Sequence, residues 1–409
     1  MSITMPLQGI KVLDLSRILA GPWAGQMLAD LGADVIKVER PGMGDDTRSW
    51  GPPYMPAVVG FEDSKAREAA YFQAANRGKR SLCIDMSQPK GQDIIKQLVM
   101  QADVLIENFK VGGLAKYGLD FSSLSKINSR LVYCSITGFG QTGPYKDRAG
   151  YDFMIQAMGG LMSVTGSEGG EPMKVGVAVA DVMTGLYASN AIQGALIHQL
   201  RTGQGQHIDL ALLDVQVAAL ANQAMNYIAT GDNPKRLGNA HPNIVPYQAF
   251  ATSDGHLILA VGNDAQFERF CQVAGEKELA CNSLYASNAL RVANRNELVP
   301  EVSRLLKLQS TQWWLTELNK VGVPCGPICN IDEVFDNPQI KARKMKISLD
   351  HPQLGKVESV ANPIKLSATP LQYHQAPPML GEHTHDVLQD WLGIEEAEYK
   401  TLLNTQVIA

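Results

Sequence analysis

The stretch Lys11–Glu39, KVLDLSRILAGPWAGQMLADLGADVIKVE, decides the fold. Lys11–Leu15 (KVLDL) is a short apolar run of strand type. Ala20-Gly21-Pro22 then opens a helix, with proline near the first turn where its missing N–H costs nothing. The helical stretch runs to Leu31, and Gly32 closes it. Ala33–Glu39 (ADVIKVE) reads as a second strand. A strand, a helix and a strand in that order make a βαβ unit, so the two strands are parallel and the crossover is right-handed.

The same rhythm continues outward. Arg80–Asp85 (RSLCID), Ala102–Glu107 (ADVLIE) and Arg130–Ile136 (RLVYCSI) read as strands, and Pro89–Met100 as a helix with an early proline. The pattern predicts a doubly wound α/β domain built on a parallel sheet. From Tyr151 to Gly203 the chain is mostly helical, interrupted at Gly159-Gly160 and Gly166–Gly170. His207–Leu210 is a short strand, and Leu212–Ile228 reads as one long apolar helix. Ala251–Val261 reads as a hairpin that turns at Ser253-Asp254-Gly255. The expected organisation is a large domain beginning at 1–224, a smaller α+β domain over 225–330, and a proline-rich segment 331–409 that returns to the first domain.

Bulk properties bound the function. A chain of 409 residues is too long for one ordinary core. With 45% hydrophobic and 19% charged residues it has a globular balance, and a net charge of −5 argues against a broad nucleic-acid or anionic-membrane surface. No run of about 18 apolar residues offers a membrane span, and the start carries neither a signal-peptide nor a transit-peptide pattern. A cytoplasmic protein is the expectation. The six cysteines are scattered and read as reduced thiols. Only Cys325 and Cys329 are close, and the segment between them, Gly326-Pro327-Ile328, reads as a turn with no histidine beside it, so no metal is expected. His383 and His385 read as a surface loop, Met154, Met158 and Met162 as core packing at helical spacing, and Trp313-Trp314 as core of the smaller domain.

Several residues sit where such sheets bind ligands, beyond the carboxyl ends of their strands. Arg40 follows the second strand and is held by Pro41; its guanidinium suits phosphate. Asn76, Lys79 and Arg80 form a second basic cluster, and Asn108-Phe109-Lys110 ends another strand. The first turn, Ser16–Pro22, lacks GxGxxG, and Ile18 and Leu19 fill the space of a dinucleotide's pyrophosphate, so an NAD-dependent reductase is not expected. Asp181 lies in Val175–Tyr187 (VGVAVADVMTGLY), at the end of a strand-like approach and the start of a long helix. An aspartate there is usually an N-cap. It is also a carboxylate that the helix start would keep ionised, near its reference pKa of about 3.9, and a carboxylate can act as a covalent nucleophile.

Beyond these separate features, long stretches in a fixed order resemble the class III CoA-transferases. They are LQGIKVLDLSRILAGPWAGQMLADLGADVIKVERPGMGDDTR, ANRGKRSLCIDMSQPKG, DVLIENFKVGGLAKYGLD, SITGFGQTGPYKDRAGYD, GVAVADVMTGLYA and PPMLGEHTHDVL. The resemblance implies a Rossmann-like large domain, a small domain and an interlocked homodimer. It implies CoA and acyl-CoA as substrates with no permanently bound cofactor, and small carboxylic acids as the other partners. It puts the catalytic aspartate on Asp181, and the CoA contacts on Ile18, Leu19, Ala20, Arg40, Ile84, Asn108, Phe109 and Lys116.

Within the family, Asn239–Phe250 (NAHPNIVPYQAF) and Val261–Phe267 resemble the succinyl-CoA:glutarate type, whose substrates are short dicarboxylic acids. Arg148, Tyr151, His241, Gly262 and Asn263 are then the substrate-side candidates, with Gly262 and Asn263 offering backbone to the reacting centre. Other transferases of the formyl-CoA or acetyl-CoA:oxalate type remain an alternative, although the glutamine that some carry in the first turn is Leu19 here. Acyl-CoA racemases also remain, although Tyr151 stands where those enzymes have a histidine, and a phenol of reference pKa about 10 is a poor base at neutral pH. A CoA-binding module without catalysis would bind CoA and never carry an adduct on Asp181.

Overall fold

The computed structural model describes residues 5–56 and 68–409. It divides into two compact units: Met1–Leu161 with Lys174–Ala224 and Gln339–Ala409, and Met162–Met173 with Met225–Pro338.

The first unit is built on six strands: β1 (Lys11–Asp14), β2 (Asp34–Glu39), β3 (Lys79–Cys83), β4 (Val104–Glu107), β5 (Val132–Thr137) and β6 (Gln206–Ala211). They lie in the order β3-β2-β1-β4-β5-β6, every neighbouring pair parallel. Strand residues alternate between two cores, as a pleat of period two requires. Leu13, Ile36, Leu82, Leu105 and Tyr133 enter one core with the helices Pro89–Gln101 and Thr384–Leu392. Val12, Val35, Val104, Ile106 and Val132 enter the other, with the helices Ala20–Asp30 and Val179–Thr202. Helices on both faces make the sheet doubly wound, as the βαβ rhythm predicts. The chain end joins the first core through Leu402, Val407 and Ile408, and Ile408 bridges to Ile84. An antiparallel pair, β10 (Lys346–His351) and β11 (Gly355–Val360), belongs to the same unit.

In the second unit β7 (Tyr247–Ala251), β8 (His256–Ala260) and β9 (Cys325–Pro327) form an antiparallel sheet. The predicted hairpin turn is there, with the Asp254 carboxylate accepting from the Thr311 backbone N–H at 2.8 Å. Phe250, Leu257, Leu259, Phe267, Phe270 and Trp314 fill its core. No helix among the described residues is long and apolar enough to cross a membrane.

Four local expectations are overturned. Cys325-Gly326-Pro327 is an edge strand rather than part of a turn, a position where proline's missing donor faces no partner. The long helix expected over Leu212–Ile228 is two, Leu212–Ala219 and Ala221–Thr230, broken where Ala221 takes φ +47°. Met154 and Met158 are not core: they are 37% and 44% exposed, because their helix, Asp152–Met158, buries Ile155 and Gln156 instead. Helical spacing shows that residues share a face without showing which face is inside. Asn76 and Lys79 are wholly buried, the Lys79 ammonium bonding Asp14, Asn76 and the Pro22 carbonyl, while Arg80 pairs with Asp34 and Asp390. That set is a structural network rather than a phosphate cluster.

Candidate active site

The turn after β1 is held in an unusual shape. Ile18 has φ +74°, a left-handed conformation that a β-branched side chain rarely takes. Such a backbone persists only where its surroundings hold it. Here the Ile18 N–H donates to the Asp45 carboxylate at 3.2 Å, and Asn108 clamps Arg17 on both sides, accepting from its N–H at 2.9 Å and donating to its carbonyl at 2.7 Å. Asp45 is anchored by a fully buried ion pair with Lys37 at 2.8 Å and by the Thr47 N–H and hydroxyl. Burial opposes its charge, but Lys37 and these hydrogen bonds prevail and hold the carboxyl down to about 2. Lys37 also donates to the Ser16 carbonyl at 3.0 Å. Beside it Glu39 takes a two-pronged bond from Arg48 at 2.7 and 2.8 Å.

A cavity of about 410 Å³ opens beyond the carboxyl ends of β3, β2, β1 and β4. Its wall includes Arg40, Ile84 and Phe109 of the predicted contacts, together with Asp85 and Tyr117. Arg40 is exposed there, and its charge helps hold the Asp85 carboxyl low, after the Ser87 hydroxyl. Lys116 places its ammonium 4.6 Å from the Tyr117 ring, and Arg17 stacks over Phe109 at 5.7 Å. Leu19 and Ala20 are buried and do not line the cavity. Asn108 shapes the site through Arg17 without lining the cavity. Beneath this loop Glu107 accepts from the Phe109 N–H at 2.8 Å, and burial pushes its carboxyl up to about 7 against hydrogen bonds from Ser135 and Phe109.

Asp181 stands in the first turn of the Val179–Thr202 helix. No strand precedes it, and it is not the N-cap. That residue is Ala178, which has no capping side chain. Asp152 supplies the cap from a distance: its Oδ1 accepts from the N–H groups of Ala180 at 2.8 Å and Asp181 at 3.4 Å. Its Oδ2 accepts from the Gln156 side chain at 2.7 Å, and Gln156 in turn accepts from the Val175 N–H at 2.9 Å. The expectation that the helix start would keep Asp181 ionised at an ordinary pKa is therefore overturned. Burial, and then the neighbouring Asp152 charge, push the half-buried Asp181 carboxyl up to about 7. Tyr71, in the short helix Ala70–Gln73, is raised by burial and by Asp181, Asp152 and Asp45. The long helix lies directly against the first turn, since a Cβ on Gly185 would come 2.7 Å from the Ala20 carbonyl and 2.9 Å from Trp23 Cβ.

The remaining candidates are placed as follows. Tyr151 is 66% exposed and caps the Asp152–Met158 helix by position only. Arg148 is exposed and stacks on Tyr145 at 4.1 Å. In the second unit His241 accepts from the Asn243 N–H at 3.0 Å and leans on Tyr247; burial and Arg295 hold its pKa below the usual range. Gly262 donates its N–H to Gln266 at 2.7 Å, and Asn263 caps the Asp264–Val273 helix. Sequence reasoning missed Asp152, Asp45 and Lys37. Asp152 does have a local signal, an aspartate opening a helix after Gly150-Tyr151. Nothing local says that it caps a helix 28 residues on.

Comparison with known proteins places the chain in a family. Residues 7–384 match the family described as CoA-transferase family III. The chain is 53% identical over 394 residues to succinate–glutarate CoA-transferase of Agrobacterium fabrum, covering 95% of this chain and 96% of that one. It is 43% identical over 403 residues to succinyl-CoA:glutarate CoA-transferase of Homo sapiens, covering 98% and 90%. A crystal structure of a CAIB/BAIF family protein from Brucella suis superposes with a TM-score of 0.83 at 53% identity, covering 95% of this chain and 99% of that one. The chain belongs to CoA-transferase family III. It is a transferase that works on CoA thioesters.

Proposed function

We propose that this enzyme moves CoA from succinyl-CoA to a short dicarboxylate such as glutarate, with Asp181 as the covalent carrier. The observation that carries the substrate class is the 53% identity, over nearly the whole of both chains, to a succinate–glutarate CoA-transferase. The carrier reading rests on an aspartate whose carboxyl has no hydrogen-bond partner among the described residues and stands on the helix packed against the first turn.

The chemistry runs through four exchanges. An Asp181 oxygen attacks the acyl carbon of the donor thioester, the C–S bond breaks, and CoA leaves as thiolate; the product is a mixed anhydride. The thiolate attacks the Asp181 carbonyl and expels the donor acid, which leaves an aspartyl-CoA thioester. The acceptor carboxylate attacks that carbonyl, the C–S bond breaks and CoA leaves again as thiolate, which gives a second anhydride. The thiolate then takes the acceptor acyl group and frees Asp181. Over the whole cycle one CoA thioester and one free acid are exchanged for another such pair of similar energy. CoA is held by Arg40, Phe109, Lys116 and the backbone of Ile18–Ala20, where a guanidinium and an ammonium match phosphate charge. Arg148, exposed on the unit that carries Asp181, is the partner for the second carboxylate. The active form is a homodimer, a reading supported by the apolar surface of the long helix.

An acceptor screen with succinyl-CoA, read by mass spectrometry, tests the substrate class: glutarate and its close homologues should be the best acceptors. Asp181→Ala should lose transfer by about a thousandfold or more while CoA binding survives. An Asp181→Ala enzyme that keeps most of its turnover would sink the carrier reading.

A further inference from the structure

The start of the Val179–Thr202 helix has three N–H groups that a carboxylate beside it would ordinarily recruit. All three are already committed. Val179 donates to the Val177 carbonyl at 2.8 Å, and Ala180 and Asp181 donate to Asp152. Asp152 is itself fixed by Gln156, a wholly buried side chain that reaches on to Val175. A carboxylate that accepts two backbone N–H groups and a side-chain amide has its lone pairs tied up. Such a group is a poor nucleophile. Here the committed carboxylate is Asp152, and Asp181, although it stands on the same turn, is left uncommitted.

We propose that Asp152 is a positioning residue for the transfer reaction: by occupying the helix-start amides with its own carboxylate, it withholds them from Asp181 and leaves the Asp181 oxygens free to attack. This rests on Asp181 being the covalent carrier. Two effects follow. Asp152 fixes the first turn of the helix, and so the direction from which Asp181 approaches the thioester. Its negative charge also makes Asp181 more basic, in the same direction as burial. Among the described residues, the other titratable group that exchanges charge effects with Asp181 is Tyr71, on a separate helix, whose raised pKa keeps it neutral at working pH. From the Ala20–Asp30 helix, the side chain that meets Gly185, one turn beyond Asp181, is the uncharged Trp23.

Asp152→Asn keeps an oxygen that can accept from Ala180 and removes the charge; Asp152→Ser keeps a shorter neutral cap. In both variants the acid limb of the kcat–pH profile should move down by about one unit, since one partner charge is worth about that much on a half-buried carboxyl. The plateau kcat should fall by about threefold to tenfold as the nucleophile becomes less basic by that one unit. The KM for acyl-CoA should stay within about threefold, because the CoA cavity is untouched. A lower kcat with the acid limb unmoved in both variants would mean that Asp152 only supports the fold, and would overturn the proposal. Trapping with hydroxylamine separates this outcome from failure of the carrier. Wild-type enzyme labelled at Asp181 with the limb unmoved in the variants removes the role of Asp152 alone. Turning-over wild-type enzyme without label at Asp181 removes both.

Discussion

Asp181 has to satisfy two demands that pull apart. It attacks a thioester only when ionised, yet burial and the Asp152 charge favour its protonated form and push it up to about 7. A carboxylate near its own reference pKa of about 3.9 would be ionised throughout the neutral range and would be a weaker nucleophile. The shift predicts that kcat climbs with a slope of one on a log scale up to about pH 7 and levels off above it. Steady-state rates between pH 5 and 9 measure this directly, and a profile flat down to pH 5 would contradict it. The same shift has a sign in stability. The unfolded chain loses this proton near the ordinary value of 3.8, the native state near 7, so between the two the native state binds more protons and stability falls as pH rises. Asp181→Asn removes the buried charge. Its stability gain over wild type should be absent near pH 4, grow through pH 5–7 and be complete above 7, as read by urea midpoints across that range. An unchanged gap at every pH would show that the carboxyl is not buried as described.

At the scale of elements, the site depends on how closely two helices meet. Gly185 lies one turn beyond Asp181, where a Cβ would stand 2.7 Å from the Ala20 carbonyl and 2.9 Å from Trp23 Cβ. Neither neighbour is the loose end of a side chain, so backbone must move. Gly185→Ala should cost about 1–3 kcal/mol in stability by overpacking. It should also lower kcat by about a hundredfold, because displacing a reacting group by an ångström costs about that much. Thermal unfolding and kcat measured on the same preparation check both, and a variant with wild-type rate would show that the two helices can separate without moving Asp181. This contact also marks what the sequence could reveal. The strands and the Ala20–Asp30 helix were legible because each is specified by its own few residues: apolar runs, proline at a first turn, glycine at an end. Arg40 and Phe109 were legible as wall residues because sheets of this type bind at their carboxyl edge, and Ile84 only through the family resemblance. Asp152 capping a helix 28 positions later was not, nor was Lys79 buried under Asp14, because those pairings exist only after the chain has folded. The break at Ala221 has no proline or glycine to announce it.

The whole molecule poses a problem that one chain does not solve. The Val179–Thr202 helix buries Ala180, Ala188, Ile192, Ala195 and Leu196 against the sheet, yet its other side is also apolar. Leu186, Tyr187 and Ile197 are between 43% and 50% exposed, and Leu200 is 70% exposed. In the Asp152–Met158 helix of the same unit Phe153 is 58% exposed, and Met154 and Met158 share its open face. A helix that is apolar all round is normally buried on all sides, and a contiguous apolar surface marks an interface. In the proposed homodimer, the methionines read as core from their spacing would be core of the assembly rather than of the chain. A permanent interface of this kind buries about 2,000 Å² or more and does not come apart on dilution. The particle in solution should therefore have twice the chain mass of 44.4 kDa by light scattering, at nanomolar as at micromolar concentration. Leu200→Asp puts a charge on the most exposed of these positions. It should lower the yield of that particle and its thermal midpoint, because a buried unpaired charge is costly. A wild-type particle of single-chain mass with full activity would mean that this face stays in water and that Asp181 works within one chain.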